Sequence, residues 1–330
     1  MRRAWVLSTG IAISALLLWF AGRDTDLAEI WQTMRGANPA AIVPFTACLL
    51  VFYVIRTYRW KILLSPMSDV RTRDLFGPVM IGYGANFILP FQLGEVARTM
   101  AAMDRTRLPF MPIAFSILVE RLFDFLVILA ALAISLSMHD RLPGYVTTFG
   151  LGVGAVVAAV IAAMVLFVLK TDAVLAGLER TIVFLPAKMS AAIMRQLRIG
   201  VAGLQSLRSR RVLLVAGMTS VVQWAFIALC IWVSLSAVGA TVPVQTVLLI
   251  LALIVLGSSI PTAPGYLGSF QAGYVVGIEA INGDPVQGMS ASIFYHVIYA
   301  ATALALGMLA LRHSRLTWRT LTTTETVRML

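Results

Sequence analysis

Five charged residues lie in or beside apolar stretches of the sequence. Glu95 and Arg98 are three residues apart, and Glu120, Arg121 and Asp124 follow together in a later stretch. Residues three or four apart on a helix share a face, so each group is predicted to present its charges together. An ionisable side chain deep in a bilayer costs about 2.5 kcal/mol or more unless it is paired or hydrated, so these residues are functional candidates.

Two interpretations of this charged group stay open at the level of sequence. In the first, Arg98 or Arg121 meets an anionic headgroup in a polar cavity, while the carboxylates orient the arginines or accept protons. In the second, the five side chains form an ion-pair network that fixes one segment to another at the cytoplasmic interface. In both, we expect the two arginines to neutralise the three carboxylates incompletely.

Two hydrophobic segments are interrupted by proline, glycine and polar residues, at 82–98 and at 258–273. Proline removes a backbone donor, so lipid-exposed backbone there would leave polar groups without partners. We therefore expect both breaks to be buried or to line a cavity, and paired breaks in two halves of a membrane protein indicate a transport site. The candidate contact residues of the breaks are Asn86, Pro90, Gln92, Gly94, Pro264, Gly265, Gly268 and Gln271.

Sequence signals for catalysis or metal binding are weak. His296 could titrate near neutral pH or could be an interior hydrogen-bonded residue, and both interpretations stay open. Cys48 and Cys230 lie in apolar stretches, and the sequence contains neither a Cys-x-x-Cys pair nor His/Cys metal spacing. Walker, nucleophile-elbow and dinucleotide motifs are likewise missing from the sequence. We therefore expect no cofactor, no metal and no enzymatic activity.

The composition is that of an integral membrane protein. Hydrophobic residues make up 59%, charged residues 12%, and the mean hydropathy is +0.88, whereas soluble domains carry about 25% charge. A spanning helix needs roughly 20 apolar residues. Six runs approach that length, at 4–21, 40–64, 112–138, 148–169, 212–238 and 289–311. We predict an all-α polytopic fold with six full spans and two Pro/Gly-broken re-entrant hairpins, the first run being an uncleaved span rather than a secretory signal.

The order of runs and breaks repeats within the chain. Pro90 and Pro264 are 174 residues apart, and residues 40–138 and 212–311 both have the order span, broken hairpin, span. One further span lies between them, so the second unit is predicted to enter the membrane from the opposite side, as an inverted repeat. A chance match of runs of similar length is the alternative. We treat 1–330 as one membrane domain, with 1–39 as first span and loop, 139–211 as linker and 312–330 as tail.

The basic residues follow the membrane. The net charge is +11, and 22 of the 26 Lys and Arg residues fall in segments on the side of the N-terminus if both hairpins are re-entrant. Such a bias predicts that both termini are cytoplasmic, and it argues against nucleic acid as a partner. The basic segment 170–211 is predicted either to form amphipathic helices at the inner surface or to be an ordinary loop.

Several short motifs taken together resemble one membrane family. They are Arg56, Arg59 and Trp60, then Asn86, Leu89, Pro90, Gly94, Glu95 and Arg98, then Glu120, Arg121 and Asp124, and finally Pro264, Gly265 and Gly268. This set resembles the transmembrane region of lysylphosphatidylglycerol synthases over nearly the whole chain. The resemblance implies a lipid flippase or scramblase-like transporter for phospholipids, hopanoids or polyprenyl-linked lipids in the bacterial inner membrane. The aminoacyl transferase found in fused members is expected to be absent.

Two departures from the family pattern lower the charge of the hairpins. Gln92 stands where the family often has a basic residue, and Gln271 stands where a Glu is common. These departures argue against a strongly charged headgroup and leave a weakly charged or neutral polar lipid open. We expect a polar or anionic amphiphilic lipid to be moved through a cavity between the hairpins. The alternatives are a non-transporting scaffold for a lipid-modifying enzyme and a proton-coupled small-solute transporter. Candidate lipid-contacting residues are those of the breaks together with Arg56, Arg59, Glu95, Arg98, Glu120, Arg121, Asp124 and His296.

Overall fold

A computed structural model describes residues 2–23, 25–89, 92–139, 143–182, 187–258 and 264–314, and all regular structure in these residues is helical. The long helices are α1 (Arg2–Gly22), α3 (Ile42–Leu64), α6 (Phe110–Met138), α7 (Gly144–Leu169), α10 (Arg210–Ala237) and α13 (Pro285–Arg312). The shorter helices are α2 (Leu27–Gly36), α4 (Thr72–Ile88), α5 (Gly94–Thr106), α8 (Thr171–Thr181), α9 (Ala187–Gly200), α11 (Val244–Ser258) and α12 (Ser269–Glu279).

The protein is an integral membrane protein. Within the described residues, four helical stretches are long and apolar enough to cross a membrane: Pro39–Leu64, Val146–Phe167, Arg210–Ala237 and Pro285–Arg312. Each of the six predicted apolar runs coincides with a long helix to within four residues at either end. Helix α6 is as long as the others, but it carries Glu120, Arg121 and Asp124 in its middle.

Helix α2 is an addition to the predicted elements. It begins after Asp26, whose side chain accepts a hydrogen bond from the Ala28 amide at 2.8 Å. An aspartate at this position is a common N-cap, because its carboxylate accepts a hydrogen bond from a backbone amide that has no partner within the helix. On its buried face Ile30 packs with Ala21 and Met289, so α2 is held against α1 and α13.

The first break separates α4 from α5. Pro90 itself lies outside the described residues. Gln92 is the first described residue after the break and has φ +55°, and α5 begins at Gly94. The Asn86 side-chain oxygen accepts the Gly94 amide at 2.9 Å, which gives a partner to a backbone donor at the start of α5. A Cβ on Gly94 would lie 2.1 Å from the Gly82 carbonyl oxygen, so only glycine permits this close packing of α4 and α5.

The second break separates α11 from α12. Its described part begins with a 3₁₀ turn at Pro264–Tyr266, in which Gly265 has φ +76°. Helix α12 starts after Gly268, at φ +90°, and the Gly268 amide donates to the Gln271 side-chain oxygen at 2.8 Å. Each break therefore lies between two packed helices, and the described part of each contains at least one residue with positive φ.

The helices pack in two matching sets. Helix α3 packs against α10, α4 against α5 and α13, and α11 against α12 and α6. When α3, α4, α5 and α6 are matched in order with α10, α11, α12 and α13, each of these contacts has a counterpart. The α4–α5 contact corresponds to α11–α12, the α4–α13 contact corresponds to α11–α6, and the α3–α10 contact corresponds to itself. The order long helix, two shorter helices, long helix is therefore present twice, and the contacts within one set have counterparts in the other.

The basic segment that follows α7 forms helices rather than an ordinary loop. It contains α8, α9 and a 3₁₀ turn at Val201–Arg208. Close contacts tie it to α6, because a Cβ on Gly200 would lie 2.7 Å from the Phe115 ring and one on Gly203 would lie 2.3 Å from the Pro112 carbonyl oxygen. The linker thus packs against the helix that carries three of the candidate charges.

Candidate functional site

Two arginines of α3 and two carboxylates of α6 form the centre of a buried ion-pair network. Arg59 pairs with Glu120 at 2.8 Å and with Asp124 at 2.7 Å, and Arg56 approaches both carboxylates at 3.2 Å. All four side chains are at most 2% exposed. The pairing follows from helix periodicity, since residues three or four apart on each helix face the other helix.

Helix α10 completes the surroundings of Asp124. The carboxylate oxygen that pairs with Arg59 also accepts hydrogen bonds from the Gln223 amide at 2.8 Å and from the Trp224 indole at 2.9 Å. Arg59 in turn donates to the Ser220 hydroxyl at 2.6 Å. A buried charge is tolerated when it is both paired and hydrogen-bonded, and Asp124 meets both conditions.

Arg98 of α5 joins the network from the first hairpin. Its guanidinium lies 2.8 Å from Glu120 and 3.7 Å from the centre of the Trp60 ring, a cation–π contact. The Trp60 indole is held by the Ser116 hydroxyl at 3.0 Å. Space for Arg98 comes from Gly82, where an added Cβ would lie 2.8 Å from the Arg98 Cβ. The hairpin is therefore fixed to α3 and α6 by charge and by shape.

Arg121 and Glu95 form the more accessible edge of the network. The two side chains make a close ion pair, and Glu95 also approaches Arg98 at 3.4 Å. Arg121 is 32% exposed and Glu95 is 23% exposed, in contrast to the buried groups behind them. This pair is therefore the most exposed part of the network.

The charge balance differs from the sequence expectation. That expectation counted Arg98 and Arg121 against three carboxylates, but the network also contains Arg56 and Arg59. With every group ionised, four arginines face Glu95, Glu120 and Asp124, and one positive charge is in excess. The physical reason is that α3 packs against α6 and supplies two further arginines, which spacing along the chain does not reveal.

The network borders a cavity of about 100 Å³. Five predicted residues contribute to its wall, namely Arg56, Asn86, Glu95, Arg98 and Arg121. Aromatic side chains from both halves line the rest, among them Phe52, Tyr83, Trp224, Tyr266, Phe270 and Tyr299. A space of this size and polar lining can hold water, since a single water needs only about 10–15 Å³ of such volume.

The other predicted residues that the structure describes lie outside the wall of this cavity. Arg59, Glu120 and Asp124 stand behind Arg56 and Arg98. The Gln92 amide donates to the Ser258 carbonyl at 2.9 Å. His296 packs edge-on against two phenylalanine rings and is nearly buried.

The second break uses its polar and glycine residues internally. Gln271 is engaged at the start of α12, as described above. Gly268 packs against α1, where an added Cβ would lie 2.7 Å from the Ser14 carbonyl oxygen. Pro264 begins the 3₁₀ turn, and Gly265 lies against Phe87 of the first hairpin.

A second, apolar cavity of about 490 Å³ lies on the other side of α11. Its wall comes from α1, α7, α11 and α12 and contains residues such as Leu17, Phe20, Leu253, Ala272 and Val276. The polar cavity touches Val255 and Ser258 of α11, and the apolar cavity touches Leu253 and Gly257. One helix therefore separates a polar space from an apolar one.

Three network residues on α10 were missing from the sequence prediction. Ser220, Gln223 and Trp224 have the spacing of one helix face within an otherwise apolar run. That spacing was the available signal, because polar side chains in a membrane helix usually face protein rather than lipid.

The chain also matches a known membrane family. The family model described as the lysylphosphatidylglycerol synthase TM region matches residues 7–307. The chain belongs to this family. The match begins within α1 and ends within α13, so it covers every helix that contributes to the network and to the two cavities. The resemblance that rested on short motifs is therefore confirmed for this member of the lysylphosphatidylglycerol synthase TM family.

A further similarity covers a smaller part of the chain. The glycosyltransferase AglD of Haloferax volcanii is 24% identical over 128 residues, which is 38% of this chain and 20% of that protein. This family member thus spans a minor part of the length of that relative. No solved structure matches the chain.

Proposed function

We propose that the protein is a lipid translocase, a flippase or scramblase-like transporter that moves an anionic amphiphilic lipid between the leaflets of the bacterial inner membrane. The observation that carries this proposal is the single positive charge in excess in the arginine–carboxylate network beside the polar cavity. A net positive charge that is largely removed from water attracts an anion, and arginine binds phosphate through paired donors. The lipid phosphate is the group that fits this chemistry.

The proposed topology has six full spans and two re-entrant hairpins, with both termini in the cytoplasm. Helix α11 has 15 residues, a length of about 22 Å, which is short of the ~30 Å hydrocarbon core. The matching contacts of the two helix sets support an inverted repeat with its site between the halves. Arg56, Arg59 and Arg98 are buried in the network, so the basic bias that supports this orientation comes from the other inside residues.

The apolar cavity supports an amphiphile as the cargo. We assign the phosphate headgroup to the polar cavity and an acyl or polyprenyl chain to the apolar cavity on the other side of α11. Both cavities touch the last turn of α11, so one molecule can place its polar and apolar parts on the two faces of that turn. A chain in the apolar cavity contacts residues such as Leu253 and Val276 and remains out of water.

We propose a binding role for the network rather than catalysis. A general base needs a carboxylate that can take a proton from a bound substrate. Glu95, Glu120 and Asp124 are each paired with arginine, so their oxygens are already engaged. The activity named for AglD is accordingly not assigned to this chain. A lipid-linked sugar nevertheless carries the same phosphate and belongs among the cargoes to be tested.

The test uses purified protein in liposomes that contain a fluorescent lipid, with a membrane-impermeant quencher to report exchange between leaflets. Phosphatidylglycerol, phosphatidylethanolamine and a polyprenyl phosphate are compared with a neutral diacylglycerol. We expect the protein to accelerate exchange of the phosphate-bearing lipids. Failure to accelerate any lipid class would refute the proposal.

Arg121→Gln and Arg71→Gln form a matched pair for this assay. Both remove one guanidinium, but Arg121 is at the cavity edge, whereas Arg71 is 71% exposed and pairs with Asp74 outside the network. We expect Arg121→Gln to slow exchange about tenfold, which equals about 1.4 kcal/mol in transition-state free energy. Arg71→Gln should stay within twofold of the unaltered protein. Equal effects of both substitutions would exclude a headgroup role for Arg121.

A further inference from the structure

A hydrogen bond joins the two broken hairpins directly. The Gln92 side-chain amide of the first hairpin donates to the Ser258 carbonyl at 2.9 Å. Ser258 is the last residue of α11, and the final carbonyls of a helix have no partner within that helix. The first hairpin therefore supplies a capping donor to the second.

The backbone at Gln92 directs this side chain. Gln92 has φ +55°, a region that glycine adopts easily and longer residues rarely adopt. A glycine here would relieve the backbone but would leave the α11 terminus without this donor. The combination of an unfavourable φ and a cross-hairpin hydrogen bond indicates that the side chain is used.

A second contact between the breaks lies nearby. Gly265, at φ +76°, faces Phe87 of α4 so closely that an added Cβ would lie 3.0 Å from the Phe87 ring. The two contacts are made at the edge of the polar cavity, whose wall includes Asn86, Ser258 and Tyr266 from the same two breaks. Any widening of the cavity between the hairpins must separate these contacts.

We propose that the Gln92–Ser258 and Gly265–Phe87 contacts, together called the break latch, form the gate of the polar cavity. The cavity of about 100 Å³ is smaller than the ~300 Å³ of a small ligand site, so the closed form must open to admit a headgroup. Release of the latch separates the hairpin breaks and lets the headgroup reach Arg121. The role in transport rests on the proposed function, but the opening itself can be measured without any lipid substrate.

The test compares the same substitution in the two hairpins. Gln92→Glu removes the amide donor and places a carboxylate oxygen against the Ser258 carbonyl. Gln271→Glu keeps the oxygen that accepts from the Gly268 amide, so it is a matched control. Gln92→Ala removes the donor without adding charge, and it keeps the test valid if the glutamate variant fails to fold.

Opening is read from the reactivity of a single cysteine in the cavity wall. Val255→Cys is introduced after Cys48→Ala and Cys230→Ala, and its modification by a negatively charged, water-soluble methanethiosulfonate reagent is timed. We expect Gln92→Glu and Gln92→Ala to raise the labelling rate about tenfold and Gln271→Glu to change it less than twofold. Equal rates in Gln92 and Gln271 variants would overturn the gate.

Transport measured on the same variants separates the two proposals. Faster labelling in the Gln92 variants, with no lipid exchange by any version of the protein, would leave the gate supported and refute the translocase. Lipid exchange by the unaltered protein, with labelling unchanged in the Gln92 variants, would support the translocase and refute the gate. The labelling rate alone therefore decides the gate.

Discussion

Neutralising Asp124 should destabilise the protein far more than neutralising Glu95. Asp124 accepts from two arginines, at 2.7 and 3.2 Å, and from Gln223 and Trp224, and it is 1% exposed. Asp124→Asn leaves two uncompensated positive charges in the network instead of one. Loss of one partner of a buried pair costs about 3–5 kcal/mol. Glu95→Gln affects a partly exposed carboxylate, so we expect the free energy of unfolding to fall by only ~1 kcal/mol.

The assay is equilibrium unfolding in mixed micelles, with helicity followed by circular dichroism as the denaturing detergent fraction rises. Adding Arg56→Gln to Asp124→Asn returns the charge excess to one. The double variant should therefore be more stable than the sum of the two single effects by about 1 kcal/mol or more. Equal midpoints for Asp124→Asn and Glu95→Gln, or strict additivity in the double variant, would refute the description of a buried, charge-coupled network.

Two further predictions use matched pairs within one fold. Gly82→Ala should lower the free energy of unfolding by about 1–3 kcal/mol through overpacking, because the new Cβ would lie 2.8 Å from the Arg98 side chain. Gly77→Ala is the control, because its Cβ would meet Ala310 at an ordinary 3.8 Å, and it should be near neutral or stabilising. Equal unfolding midpoints for the two variants would contradict this prediction. Val276→Trp fills the apolar cavity and should slow the exchange of long-chain lipids more than that of short-chain lipids. Val297→Trp, at a position of α13 that is 60% exposed, should show no such dependence on chain length. The same dependence on lipid chain length in both variants would refute the placement of the lipid chain in that cavity.

The helices and breaks were predictable because their signals are local. A membrane helix satisfies its backbone within one segment, so an apolar run alone gives its position, and the α13 run was found to within four residues at each end. The breaks at Pro90 and Pro264 were found for the opposite reason, since proline cannot continue that backbone pattern. Helix α2 escaped prediction because it is short and amphipathic and depends on packing of Ile30 against α1 and α13.

The candidate site was predictable only in part. Glu95, Arg98 and Arg121 were identified from charge in an apolar context, and all three contribute to the cavity wall. Gln92 and Gln271 had the same interpretation in the sequence, yet one bridges the hairpins and the other engages its own helix start. Identical side chains received different uses because their neighbours, which the sequence does not give, differ.

Sequence alone established a helical membrane protein with two broken segments and a small set of charges inside it. Composition, run length and proline position fix those features through the cost of exposing polar backbone or charge to hydrocarbon. Which charges are partners follows from the packing of the helices and could not be derived from their order along the chain. Arg59 meets Glu120 and Asp124 across 61 and 65 residues of chain, and Ser220 across 161. Such pairings depend on how whole helices pack, and they set both the positive excess of the network and its position beside the cavity.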